Sequence, residues 1–178
     1  MSELRVNTVT NASGTGSAYA PGHVVQVKST AKTDVFTTTS TTYTPVTGLT
    51  ASITPSSATS KILITVQLAF GAGGTGGGVN FGSFRLTGGN AGTYKGVTPS
   101  ARRDAVFGGT SNLDNQNVMY SNSIVFLDSP STTSAITYGV ECVTRASGFI
   151  SINRPSLDSD NDYLTRGASS ITVMEIAQ

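Results

Sequence analysis

The chain has 178 residues, enough for one domain with a full-sized core, but only 12% are charged, against roughly 25% in an average soluble domain. A net charge of +1 supplies no field to draw in nucleic acid or an anionic membrane. A single cysteine, Cys142, rules out an internal disulfide and a cysteine-based zinc site.

Residues 1–22 read as an extended arm. Leu4 and Val6 alternate with polar residues, a flexible Asn11–Ser17 run follows, and Pro21-Gly22 closes the segment as a turn. Such a segment has few core residues of its own and gains order by pairing elsewhere, so Leu4, Val6 and Val9 are the expected anchor residues. No signal peptide and no membrane-spanning run is seen, which points to synthesis in a cytosol without secretory export and to no membrane insertion.

The body is expected to run from His23 to Gln178. Val24, Val25 and Val27 open a first strand, and Asp34–Thr38 forms a second. A third spans Pro45–Thr54, with Gly48 at a bulge or bend. The clearest signal lies in residues 61–70: Ile62, Ile64, Val66, Leu68 and Phe70 share one face, which is the period of a strand with a strongly buried side. Gly71–Gly78 reads as a long glycine loop, and Asn80–Thr87 as the next strand. Residues 88–117 are the least regular. Strands then follow at Val118–Leu127, Ala135–Thr144, Phe149–Ile152 and Ser169–Ala177, with a polar, acidic loop over Ser156–Arg166. Strand segments with a turn about every ten residues, abundant Thr and 20 glycines predict an all-β fold, specifically a jelly-roll-like antiparallel β-sandwich with an extended N-terminal arm.

Motifs for chemistry each lack a required neighbour. Gly71-Ala72-Gly73-Gly74-Thr75-Gly76 matches a dinucleotide pattern, but a strand rather than a phosphate-holding helix is expected after it. Asp158, Asp160 and Asp162 resemble the opening of a calcium loop. Tyr163 and Ser169 stand where the glycine and the bidentate glutamate belong, leaving a weak candidate cation site. His23 is the only imidazole base and no nucleophile elbow accompanies it. Glu141 with an acidic-loop Asp is the sort of carboxylate pair that any ten acidic residues permit. Lys95, Arg102, Arg103 and Phe107 fall short of a nucleic-acid surface. Cys142 sits in an alternating segment and reads as a buried, inert thiol. The chain is therefore expected to be no enzyme and to hold no cofactor.

Three stretches carry a resemblance: Leu4–Gly14, Thr47–Ile64 and Arg166–Ile176. Together they resemble bacteriophage virion surface proteins, tail-fibre-like or head decoration proteins of phages that infect aquatic bacteria. The resemblance implies a virion component assembled in the host cytoplasm, a homotrimer with a jelly-roll-like body, joined to other capsid or tail proteins through residues 1–22. Within Thr47–Ile64 a strand, a tight Pro/Ser turn and a strand are expected to form a hairpin, with the final strand beside it.

Two roles fit these expectations. One is a receptor-binding module of the tail-fibre type, whose irregular loops contact a host glycan or protein; Asn90, Tyr94, Lys95, Arg102 and Arg103 are the candidate contacts. The alternative is a capsid decoration, cement or head-fibre protein that stabilises the shell.

Overall fold

The structure, a computed structural model, describes residues 19–74, 80–97, 103–111 and 116–178. Ten strands lie among them: β1 (Val24–Lys32), β2 (Phe36–Thr38), β3 (Thr44–Ile53), β4 (Lys61–Gly74), β5 (Asn80–Thr87), β6 (Phe107–Ser111), β7 (Tyr120–Asp128), β8 (Ile136–Thr144), β9 (Gly148–Ile152) and β10 (Ser169–Ile176). One short 3-10 turn, Ala91–Thr93, is the only helical element among the described residues. The protein is all-β, and its strand pairs are antiparallel.

The strands form two sheets. One has the order β1-β10-β4-β9-β2, with β7 also paired to β4; the other has the order β3-β8-β5-β6. Pairing is nested along the chain: β1 with β10, β3 with β8, β4 with β7, β5 with β6. The ribbon is thus folded back on itself, its outermost strands partnering each other and its innermost forming the β5–β6 ladder.

Burial explains the strands. On β4, Ile62, Ile64, Val66, Leu68, Phe70 and Ala72 are all buried in one continuous stripe. Burying each large aliphatic or aromatic side chain contributes about 1.5–3 kcal/mol. Leu49, Ile53, Phe84, Leu86, Tyr138 and Val140 face this stripe from the second sheet. The Phe70 ring lies 4.6 Å from Phe84, 5.4 Å from Tyr120 and 6.0 Å from Phe107, so aromatic contacts bridge both sheets at one end of the core.

The first sheet contains an interruption that shapes the surface. Phe70 pairs with both Tyr120 of β7 and Ile152 of β9, and Val66 pairs with both Ile124 of β7 and Ile171 of β10. Accordingly β9 and β10 lie end to end along one edge of β4, and β7 occupies the other. Residues 153–168 leave this row and return to it. The neighbouring row breaks at the same level, since β1 pairs with β10 and β2 with β9.

Asn153 closes the double break. Fully buried and left-handed at φ 67°, it donates its backbone N–H to the Ala69 carbonyl and accepts from Gly167 N. Its side-chain amide donates to the carbonyls of Lys32 and Asp34, at 2.8 and 2.9 Å. Its Oδ1 accepts from the Ser169 hydroxyl at 2.6 Å. Asparagine tolerates the left-handed region better than most residues, and here it also has both donors and the acceptor the junction requires.

Several sequence expectations change. The strand read at residues 61–70 continues to Gly74, so the first half of the expected glycine loop is strand. A Cβ on Gly71 would come within 2.7 Å of the backbone of Arg154, Pro155 and Ser156, and one on Gly73 within 2.5 Å of the Phe149 ring. Those glycines let the 153–168 excursion cross over the sheet. The irregular stretch 88–117 holds the strand β6. The expected hairpin over Thr47–Ile64 does not form: β3 pairs with β8, whereas β4 lies in the other sheet, so the Pro/Ser turn carries the chain between sheets. The final strand does pair with β4, as expected. Gly48 adopts φ +79° at a break in the β3–β8 register, which is the bend anticipated there. The anchor residues Leu4, Val6 and Val9 lie outside the described residues.

Candidate functional site

The connection between β5 and β6 carries most of the expected contact residues. Asn90 follows Gly88 and Gly89, both at positive φ. Its backbone N–H donates to Asp128 Oδ2 at 3.1 Å and its amide to the Ser129 carbonyl at 2.9 Å. Asp128 is buried and also accepts from the Tyr138 hydroxyl at 2.7 Å. Burial, and then the adjacent carboxylate, pushes the Tyr138 phenol up, so it stays a protonated donor. Tyr94 stacks on Phe126 with ring centroids 4.8 Å apart. Asn90 and Tyr94 are therefore held against the end of β7.

Lys95 and Arg103 lie on a separate charged cluster, over the outer face of the second sheet. Arg85 on β5 and Glu141 on β8 are cross-strand partners joined by an ion pair of 2.8 Å. The Arg85 guanidinium sits 3.9 Å above the Tyr43 ring. Lys95 forms an ion pair with Asp104, and the Tyr43 hydroxyl donates to the Asp104 carbonyl. Arg103 donates to the Thr41 carbonyl at 3.0 Å. The Lys95 hydrogen bond holds the Asp104 carboxyl below its ordinary value, while burial first and Asp104 second push the Tyr43 phenol up. The surface is tightly interlocked, with each charge answered by an opposite charge, a carbonyl or a ring. Arg102 lies outside the described residues.

The acidic loop folds differently from a cation site. Asp158 pairs with Arg166 and approaches Arg154 at 3.6 Å. Among the described residues no group of three or more His, Cys, Asp or Glu side chains is placed to hold a metal ion, so Asp158, Asp160 and Asp162 are not gathered as ligands. Instead the excursion encloses a half-open cleft of about 500 Å³, whose wall includes Leu157, Asp160, Asn161, Leu164, Thr165 and Arg166. That volume falls within the roughly 300–1,000 Å³ of small-molecule sites. Its base is fixed by Leu157 N–H and the Ser156 hydroxyl, which donate to the Gln116 carbonyl at 2.9 and 3.0 Å. Tyr163 stands nearby in the sequence and is 60% exposed. The acidic residues of this loop are legible in the sequence, whereas the cleft is not. Its trace there is Leu157 and Leu164, two apolar residues inside an otherwise polar stretch.

Cys142 is fully buried on β8. Burial, with a smaller contribution from Glu141, pushes its thiol up to about 12, which keeps it a thiol at neutral pH. His23 stacks on Tyr19 at 5.3 Å, at the point where Gly22 N–H donates to the Ala177 carbonyl and the chain enters β1.

These features define an all-β protein of two antiparallel sheets whose surface connections are pinned to the scaffold. No protein-family model matches the chain. No curated protein sequence matches it either.

Proposed function

We propose that the chain is a non-enzymatic subunit of a phage-type particle, a trimeric receptor-binding module that presents surface loops and is attached through residues 1–22. The observation that carries this reading is the nested pairing of β1 with β10, β3 with β8, β4 with β7 and β5 with β6 across two sheets. Eight strands so wound support a jelly-roll reading, an architecture found in viral capsid and lectin domains. Sequence resemblance to phage virion surface proteins supports the same assignment. On this scaffold the β5–β6 connection and the 153–168 excursion are fixed at their bases, as a rigid recognition surface requires. The ligand class is a surface glycan or protein of the host.

The second reading, a capsid decoration or head-fibre subunit, is favoured by a different observation. One sheet exposes an almost uncharged face, which suits lattice burial better than a solvated tip. Mass spectrometry of density-gradient-purified particles, with subunit counting in a particle reconstruction, tests both. A few trimers at the tail support the receptor-binding module and hundreds on the shell support decoration. Absence from purified particles refutes both.

A further inference from the structure

We propose that the outer face of the first sheet is the surface through which copies of this chain pack on one another. Register places four cross-strand rows on that face. Ile176 and Lys61 form the first, beside Val24; Val27, Met174, Leu63 and Leu127 the second; Ser29, Thr172, Thr65 and Val125 the third; Ala31, Ser170, Gln67 and Ser123 the fourth. Lys61 at the margin is the sole charge in these rows.

Two independent features mark the face for burial. Large apolar side chains stand in solvent there: Val24 is 44% exposed, Val27 50%, Val125 57% and Leu127 46%. Clustered exposed apolar groups of this kind mark interaction surfaces, whereas single ones do not. Most of the polar groups beside them are already satisfied within the face. Gln67 donates to Ser121 at 2.6 Å and accepts from Ser123, and Ser29 bonds Thr172 at 2.8 Å. Desolvating hydroxyls and an amide that keep their partners costs little.

The occupant is a second copy because the face is almost uncharged. Apart from Lys61 at the margin a charged partner finds nothing to pair with, while copies of this face gathered about a common axis bring no charge into its interior. With strands about 4.8 Å apart and residues about 3.4 Å apart, the four rows span roughly 19 by 27 Å, on the order of 500 Å² in projection. That approaches the roughly 600 Å² per partner at the low end of specific interfaces. The 153–168 excursion bounds the patch, since it covers β4 from Gly71 onward. This deepens the assembly proposed above and rests on it for the number of copies, while the contacting face follows from register and exposure.

Light scattering on the purified full-length protein tests the assignment. The expected mass is a multiple of 18.3 kDa. The double variant Val125→Lys, Leu127→Lys should fall to the single-chain mass with an unchanged circular dichroism spectrum. Val97→Lys, at a site 97% exposed and outside these rows, should stay associated. A single-chain mass for the unmodified protein overturns the proposal, as does a double variant that remains associated. If the protein self-associates in solution and the double variant does not, but the chain is missing from purified particles, the virion reading fails and the interface stands. If it is present on particles and the double variant stays associated, the interface fails and the virion reading stands.

Discussion

The side-chain amide of Asn153 donates a 2.8 Å hydrogen bond to the main-chain carbonyl of Lys32, joining two strand rows at the level where both are interrupted. The same amide reaches the Asp34 carbonyl, and Ser169 donates to its oxygen while itself accepting from Ala69 N–H. One buried side chain thereby ties together the ends of β1, β2, β9 and β10 that meet at this break. The cleft in the excursion depends on that junction, because residues 154–166 start from Asn153.

Asn153→Ala is expected to be strongly destabilising. It leaves two carbonyls and a hydroxyl without their partner in a buried site, each such loss costing about 1–3 kcal/mol, and it forces alanine to a left-handed backbone. A total of at least about 4 kcal/mol is expected from urea unfolding. Asn153→Asp should be worse, since it removes both donors and brings a carboxylate towards the Lys32 and Asp34 carbonyls. An Asp variant equal in stability to the unmodified protein would show that the amide is not what holds the junction.

Gly71→Ala separates a glycine needed for turning from one needed for space. Gly71 has no positive φ, and its constraint is the 2.7 Å approach of the Arg154–Ser156 backbone. A Cβ must lift the excursion, at a cost of about 2–3 kcal/mol by the measure of overpacked cores. Gly92→Ala meets nothing nearer than the Leu86 carbonyl at 3.8 Å and should change stability by less than about 0.5 kcal/mol. Limited proteolysis should cut the 153–168 segment of Gly71→Ala faster than that of Gly92→Ala. Equal cutting rates would mean the crossing is not tightly packed.

That glycine also shows where the sequence stopped being legible. The alternation of Ile62, Ile64, Val66, Leu68 and Phe70 reports the core directly, because burial of one face leaves a period of two in the residue types. At Gly71 and Gly73 the outer face is covered by another part of the chain, so space, not solvent, selects the residue. A glycine selected for space looks the same in the sequence as one selected for a loop. The Thr47–Ile64 stretch failed for a related reason: a strand, turn and strand in sequence is the same whether the turn closes a hairpin or carries the chain to a second sheet, and only the β3–β8 and β4–β10 pairings distinguish them. Asn90, Tyr94, Lys95 and Arg103 are visible as polar loop residues, but the ties of Asn90, Tyr94 and Arg103 to Ser129, Phe126 and Thr41 are long-range, and the Lys95–Asp104 pair spans an irregular connection, so none leaves a local pattern.

Glu175 sets an acid limit on stability. Its side chain is fully buried on β10, where Oε1 accepts from the backbone N–H and hydroxyl of Ser56, at 2.7 and 2.6 Å, and Oε2 from Gln26 at 2.7 Å. Burial alone raises a carboxyl, but these hydrogen bonds, with help from Ser60, outweigh it and hold Glu175 below its ordinary value of 4.5. A folded-state value below the unfolded one means that the stabilisation is complete above about pH 4.5 and is lost as pH falls through the folded-state value. Asp104, lowered by Lys95, acts with the same sign. Urea midpoints should therefore be level at neutral pH and fall steeply in acid. Glu175→Gln keeps an acceptor at Oε1 but cannot ionise, and it places an amide against the Gln26 donor, so it should be less stable at neutral pH. The decisive comparison is the slope in acid: the Gln variant should lose less stability between neutral pH and acid than the unmodified protein. Parallel curves for the two proteins would assign the acid limit to other carboxylates.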